Sequence, residues 1–246
     1  MIKAPLSRML TFKTQFSTTT FRCLKPLVVF SALLLSGCNP AFELVYCDYG
    51  YGGVKHGFYQ TGANLLDQCL ALDHLSNDDR AKYLQAKAWA HFNLENNQQA
   101  LADQESAFAL KPPAEQSEFI NHAAYLRRLA LYQESLLALR SAQKIDLQNG
   151  APSMVTQYNL GWVLFELNRY DDAIEAFSIG IPQQPNYPFV YLRRGLTYLK
   201  QGNTTKARED FEEFETLVDN KPVNFPPDLK QAVNELPSEF SRLKNL

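Results

Sequence analysis

Acidic residues are missing from the start of this sequence: residues 1–38 hold Lys3, Arg8, Lys13, Arg22 and Lys25 but no Asp or Glu. The formal charge of −2 therefore hides a leader of +5 and a body of −7. An acidic body lacks the clustered Lys and Arg that phosphate binding needs, so nucleic acid is not expected as a partner. Long apolar runs are scarce too. No segment after the leader is apolar for the roughly 20 residues that a spanning helix requires. Cysteine and histidine number four each. Cys47, His56, Cys69 and His74 lack paired zinc-ligand spacing, so no metal site is expected. Neither Gly-x-Ser-x-Gly nor His-Glu-x-x-His occurs. His91 and His122 have no acid and nucleophile at a telling spacing, and Asp171-Asp172 and Glu212-Glu213 read as solvated helix faces. Gly50-Tyr51-Gly52-Gly53 lacks the Lys-Ser/Thr that completes a phosphate loop. The expectation is a protein without a cofactor and without catalysis.

What is present begins with an address. The basic leader ends at Lys25, and Leu27 to Leu35 form an almost unbroken apolar run. That run is too short to span a bilayer and suits the core of a secretory signal. Leu35-Ser36-Gly37-Cys38 follows at once. This tetrad resembles the lipobox of bacterial lipoproteins. The resemblance implies cleavage after residue 37 and diacylglycerol on the thiol of Cys38, which becomes the acylated N-terminus. More than one acyl chain gives stable anchoring without crossing the membrane. Asn39 stands where an Asp often marks inner-membrane retention in this class, so the expected location is the outer membrane, facing the periplasm. Met9 would give a leader of more usual length than Met1 does.

Residues 38–62 read as a glycine- and tyrosine-rich tether, because Gly50, Gly52, Gly53, Gly57 and Gly62 make a helix costly. With Cys23 removed and Cys38 acylated, Cys47 and Cys69 remain as an even pair in an oxidising compartment. They either form a disulfide that pins the tether to the first helix, or stay separate thiols with Cys69 packed in a helix core. Residues 63–80 read as an N-terminal helix or degenerate repeat. Ser76-Asn77-Asp78-Asp79 provides the cap of the next helix.

From Ala81 the sequence repeats at a period near 34 residues. The units are about 81–114, 116–149, 154–187 and 188–221. Small residues recur in the first helices at Ala88, Ala123, Gly161 and Gly195, and open the second helices at Ala100, Ser135, Ala173 and Ala207. Small side chains at a crossing let two antiparallel helices approach closely. Leu139, Phe177 and Phe211 supply the bulk around it. The pattern resembles the tetratricopeptide repeat, which implies an all-α superhelix of antiparallel helix pairs. Residues 222–246, opened by Pro226-Pro227, read as a C-terminal capping helix, since a solenoid's last repeat otherwise leaves an apolar face in water.

The resemblance also implies a groove, lined by the first helices, that holds a partner peptide or helix. Carried onto this sequence, its positions are Gln85, Trp89, Phe92, Arg127, Arg128, Tyr158, Trp162, Phe165 and Leu192. Aromatic residues and Arg dominate binding hot spots. In the other reading, both tryptophans are inter-helix core or lie beneath the C-terminal helix. Ile120 and Ala124 occupy positions where relatives that clamp a partner's C-terminal carboxylate carry polar residues. Lipobox and repeats together resemble NlpI-like lipoproteins, adaptors between envelope proteases and cell-wall hydrolases. The runner-up is an assembly lipoprotein of an outer-membrane machine, serving a pilus secretin or β-barrel insertion. Monomer and homo-oligomer both remain open.

Overall fold

Among the described residues, short turns separate successive helices, and one turn geometry repeats. In the computed structural model, which describes residues 40–219 and 222–245, the helices are α1 (Pro40–Lys55), α2 (Tyr59–Leu70), α3 (Asn77–Asn93), α4 (Asn97–Leu110), α5 (Gln116–Arg128), α6 (Tyr132–Gln148), α7 (Met154–Glu166), α8 (Tyr170–Gly180), α9 (Pro188–Lys200), α10 (Thr204–Leu217) and α11 (Pro227–Asn234). Short 3-10 turns follow at Ile181–Gln183 and Ser238–Asn245. The leader and Cys38 lie outside the described residues. Among the described residues every regular element is helical, and no helix is long and apolar enough to cross a membrane.

Consecutive helices pack as antiparallel pairs, α1 with α2 through α9 with α10. The turn inside each pair has one geometry. A residue with positive φ stands at Gly57 (83°), Glu95 (62°), Ala130 (58°), Asn168 (58°) and Gly202 (78°). The next residue, Phe58, Asn96, Leu131, Arg169 or Asn203, then enters the second helix with ψ between 60° and 74°. Three of these five left-handed positions are not glycine, so tertiary packing fixes the turn against local preference.

This recurrence corrects two expectations. Residues 38–62 are not a loop-like tether from Pro40 onward, and the N-terminal helix expected within 63–80 starts earlier, at Tyr59, and has a partner helix before it. Instead α1 and α2 form a complete first pair, giving five pairs in all among the described residues. The glycines that argued against a helix are what lets this pair close. A Cβ on Gly62 would meet Val54 Cγ2 at 2.6 Å and its backbone nitrogen at 2.9 Å, and one on Gly50 would meet Leu66 at 3.0 Å. The propensity cost of about 1 kcal/mol per glycine is offset by burial of Val54, Ala63 and Leu66 at the crossing. A disulfide joins Cys47 of α1 to Cys69 of α2, with Cα atoms 4.8 Å apart. Both sulfurs' residues are fully buried.

In later pairs the same close approach uses the small residues of the repeat. A Cβ on Gly161 would lie 2.5 Å from Phe177, and one on Gly195 2.5 Å from Phe211. Ser76 caps α3, its Oγ accepting from the Asp79 amide at 3.0 Å. The C-terminal cap is not one helix. Pro237 has no amide to donate and disfavours helical geometry at Leu236, so α11 stops and a 3-10 segment resumes beyond it. Leu229, Val233, Leu236, Phe240 and Leu243 are nevertheless buried in one cluster with Val190, Leu192, Phe211 and Phe214. That cluster closes the open end of the solenoid, as a terminal cap must.

Candidate interaction face

The first helices α3, α5, α7 and α9 lie side by side, and their facing side chains form a single row of rings and cations. On α3, Trp89 stacks on Phe92 with centroids 5.7 Å apart. Arg128 of α5 reaches back over Phe92, 5.6 Å from its centroid. Its neighbour Arg127 reaches forward to α7 and lies 3.2 Å from the centroid of Trp162. Arg193 of α9 lies 3.3 Å from the same ring, so Trp162 sits between two guanidiniums. Tyr158, one turn before Trp162, accepts a 2.7 Å hydrogen bond from Arg193 Nε, and Trp162 Nε1 donates to Glu166 at 3.2 Å. The row continues to the first pair, where Lys82 lies 4.6 Å from the centroid of Tyr51. A guanidinium over an aromatic face gains about 0.5–2 kcal/mol, more as water is excluded.

Of the positions carried over from the family, this face collects Gln85, Trp89, Phe92, Arg127, Arg128, Tyr158, Trp162 and Phe165. Trp89 is 37% exposed, Arg128 is exposed, and Phe92, Arg127, Tyr158, Trp162 and Phe165 are half-buried. Gln85 donates to Glu118 Oε1 at 2.6 Å and ties α3 to α5. Leu192 is a correction. It is fully buried in the terminal cluster, because the C-terminal segment covers the last repeat there. Sequence reasoning overlooked Arg193, whose only signal was its place immediately after Leu192. Burial raises the Tyr187 phenol well above its ordinary range, and its neighbour Tyr158 adds to the shift. The Tyr187 phenol is therefore neutral at physiological pH.

At the far end the row opens into a cleft of about 440 Å³ between the last repeats and the C-terminal segment. Phe165, Leu196, Leu199, Leu229 and Leu236 give it apolar walls, while Arg193, Lys200, Glu235 and Glu239 bring charge to it.

Charge is sorted between the two layers. The helices α3, α5, α7 and α9 carry eight Lys and Arg against four Asp and Glu. The helices α4, α6, α8 and α10 carry four against twelve. The acidity of the body thus lies on the second helices. Of the first helices' cations, Arg80, Lys87 and Arg194 are tied off the row to Leu70 and Leu72 carbonyls, Asp67 and Asp103, and Asp210. Lys82, Arg127, Arg128, Arg193 and Lys200 remain along it against Glu118 and Glu166.

Residue families matched to this sequence agree with the geometry. Residues 121–188 match a family model described as "Tetratricopeptide repeat", and residues 189–217 match a second with the same description. The fold is a tetratricopeptide-repeat solenoid. Among solved structures, MamA of AMB-1 aligns with a TM-score of 0.59 at 19% identity, over 75% of this chain and 96% of its own. MamA from Desulfovibrio magneticus RS-1 gives 0.63 at 17%, over 73% and 96%. YrrB, titled a TPR protein with an unusual peptide-binding site, gives 0.59 at 18%, over 79% and 92%. No curated protein matches the sequence.

The titratable clusters of the solenoid stitch helices together. His91 Nδ1 lies 2.7 Å from Asp103 Oδ2, an acid that the sequence spacing had not revealed. Asp103 also faces Gln99 and Lys87, and Lys87 reaches Asp67 at 2.7 Å, so the cluster joins α2, α3 and α4. Arg194 grips Asp210 with two bonds of 2.9 and 2.7 Å between α9 and α10. Among the described residues no group of His, Cys, Asp and Glu is arranged to hold a metal ion.

Proposed function

We propose that this chain is a lipid-anchored protein-interaction scaffold of the bacterial cell envelope, an adaptor of the NlpI-like kind. Its working surface is the row from Trp89 to Arg193. The observation that carries the reading is that row itself, since both tryptophans and three arginines of the chain converge on one face of a repeat solenoid. Rings and guanidiniums offer large contact area at low entropic cost, which is what a docking surface requires. The lipobox ending at Cys38 stands two residues before α1. Acyl chains on Cys38 hold the solenoid at a membrane surface, facing the periplasm, where proteases and cell-wall hydrolases are within its reach.

Two measurements test this. Cys38→Ser should release the protein from the membrane fraction and abolish incorporation of a labelled fatty acid; continued labelling would sink the anchor. Crosslinked pull-down of the anchored protein should recover specific envelope proteins that disappear with Trp89→Ala/Trp162→Ala at unchanged helical content. If the same partners stay bound, the row is not the working surface. The face of α1 and α2 with exposed Tyr49 and Phe58 then takes its place.

A further inference from the structure

We infer that the row selects its partner by charge: it binds an extended acidic segment through the segment's side-chain carboxylates, with Arg127 and Arg128 as the reading groups. The inference rests on the row being the working surface. Three observations carry it.

The first is the sorting of charge, which leaves a cationic face on an otherwise acidic body. A partner of the same sign as the body is repelled by the second helices and drawn to the first ones, so approach is steered onto the row. The second is the way the arginines are held. Consecutive on α5, they diverge, Arg128 to Phe92 and Arg127 to Trp162. Stacking engages the flat face of a guanidinium. The in-plane N–H groups are the part that meets a carboxylate in a two-pronged bond. Trp162, 3.2 Å away, fixes the Arg127 guanidinium in advance and removes much of the rotamer entropy otherwise lost on binding, while Arg128 stays exposed beside Phe92. Two such groups pointing along different repeats suit acids spaced along a chain, rather than one chain end.

The third is that the molecule repeats the pairing internally. In the cleft at the end of the row, Glu235 and Glu239 of the C-terminal segment share walls with Arg193 and Lys200. An acidic, partly apolar segment of this chain already borders the last cations of the row. A partner's acidic segment extends the same arrangement toward Arg127 and Arg128. Ile120 and Ala124, apolar on α5, leave no polar grip there for a terminal carboxylate.

The chain contains two tryptophans, both in the row, so their emission reports occupancy directly. The full chain in uncharged detergent would be titrated with labelled peptides of repeating Glu-Ser-Glu-Ala, with free or amidated C-terminus, and with the Gln and Lys counterparts. Expected are a change in tryptophan emission with both Glu peptides at equal affinity, and binding at least about tenfold weaker for the Gln peptide, the worth of one charge-assisted hydrogen bond. Raising salt should weaken binding. Arg127→Gln/Arg128→Gln should cost a similar factor, and Arg128→Gln alone, at an exposed site, tests the same contact if the double variant fails to fold. Equal affinity for the Gln peptide, preference for the Lys peptide, dependence on a free C-terminus, or full affinity in Arg128→Gln each overturns the inference. Partners that are lost with the tryptophan variant but not displaced by the Glu peptide would leave the scaffold reading standing and remove the acidic one.

Discussion

Replacing Gly161 by Ala tests the packing logic of the solenoid, because the same change at Gly52 should have the opposite sign. Both glycines lie inside helices, where Ala is the better helix former by about 1 kcal/mol. At Gly52 nothing lies within 4 Å of an added Cβ, so the full gain of about 1 kcal/mol should appear. At Gly161 an added Cβ would sit 2.5, 2.6 and 2.7 Å from Cε1, Cδ1 and Cζ of Phe177. Phe177 is fully buried and packs on Tyr158 at 6.2 Å, so its ring cannot swing aside. Overpacking of this kind costs about 1–3 kcal/mol. After the propensity gain, Gly161→Ala should destabilise by up to about 2 kcal/mol. For a body of this size each kcal/mol moves Tm by about 2–4 °C. Urea unfolding by circular dichroism, with Trp162 emission in a Trp89→Phe background as the local probe of that repeat, measures both variants. Phe177→Leu should recover part of the loss in the Gly161→Ala background, since it withdraws the ring atoms that clash. If Gly161→Ala stabilises the protein, or if the two glycine variants shift together, close helix approach is not what selects glycine there.

Two other outcomes follow from single sites. Removing the disulfide with Cys47→Ser/Cys69→Ser opens a loop with a sequence separation of 22 and should cost about 3 kcal/mol, seen as faster hydrogen exchange confined to α1 and α2; unchanged exchange there would mean that glycine packing alone holds the pair. Burial pushes the imidazole of His122 below its ordinary 6.5, against a smaller opposing pull from Glu105, and its ring packs edge-on to Phe108 at 5.3 Å. A depressed histidine is protonated more readily in the unfolded chain, so its contribution is complete above pH 6.5 and is lost as pH falls below that value. His122→Phe should flatten the decline in stability on acidification below pH 6.5, and an unchanged pH profile would rule out His122 as its source.

How much of this was legible in the sequence depends on which interactions fix each feature. The pairs from α3 to α10 were legible because small residues at a crossing repeat with the chain, and Gly161 and Gly195 do meet Phe177 and Phe211. The first pair was hidden by the same chemistry at higher dose. Gly50, Gly52 and Gly53 look like helix breakers to a local reading, and only the crossing with Gly62 reveals what two of them, Gly50 and Gly53, are for. The positive φ of Glu95, Ala130 and Asn168 left no local signal, since packing of the flanking helices imposes it. The placement of Trp89, Phe92, Arg127, Arg128, Tyr158, Trp162 and Phe165 on one shared side of the first helices was legible, because family alignment gives the side of the helix. It failed at Leu192, because burial there comes from residues 229–243, far along the chain.

The row also constrains how stability and recognition can be separated in this molecule. Lys82 on Tyr51, Arg128 on Phe92, and Arg127 and Arg193 on Trp162 each bridge neighbouring first helices. In a solenoid, stability is a sum of repeat terms and nearest-neighbour interfaces, so these contacts belong to the interfaces as well as to the surface. A carboxylate that engages the in-plane donors of Arg127 does not compete with its ring contact, because stacking and hydrogen bonding use different parts of the guanidinium. Binding through the arginines should therefore reinforce the junction between the second, third and fourth repeats rather than loosen it. A partner that inserted an apolar side chain between Arg127 and Trp162 would have to break that junction first. Evolution of specificity on this face is accordingly freer at Trp89 and Arg128, which are exposed, than at Trp162, where a change in recognition is also a change in the stacking of repeats.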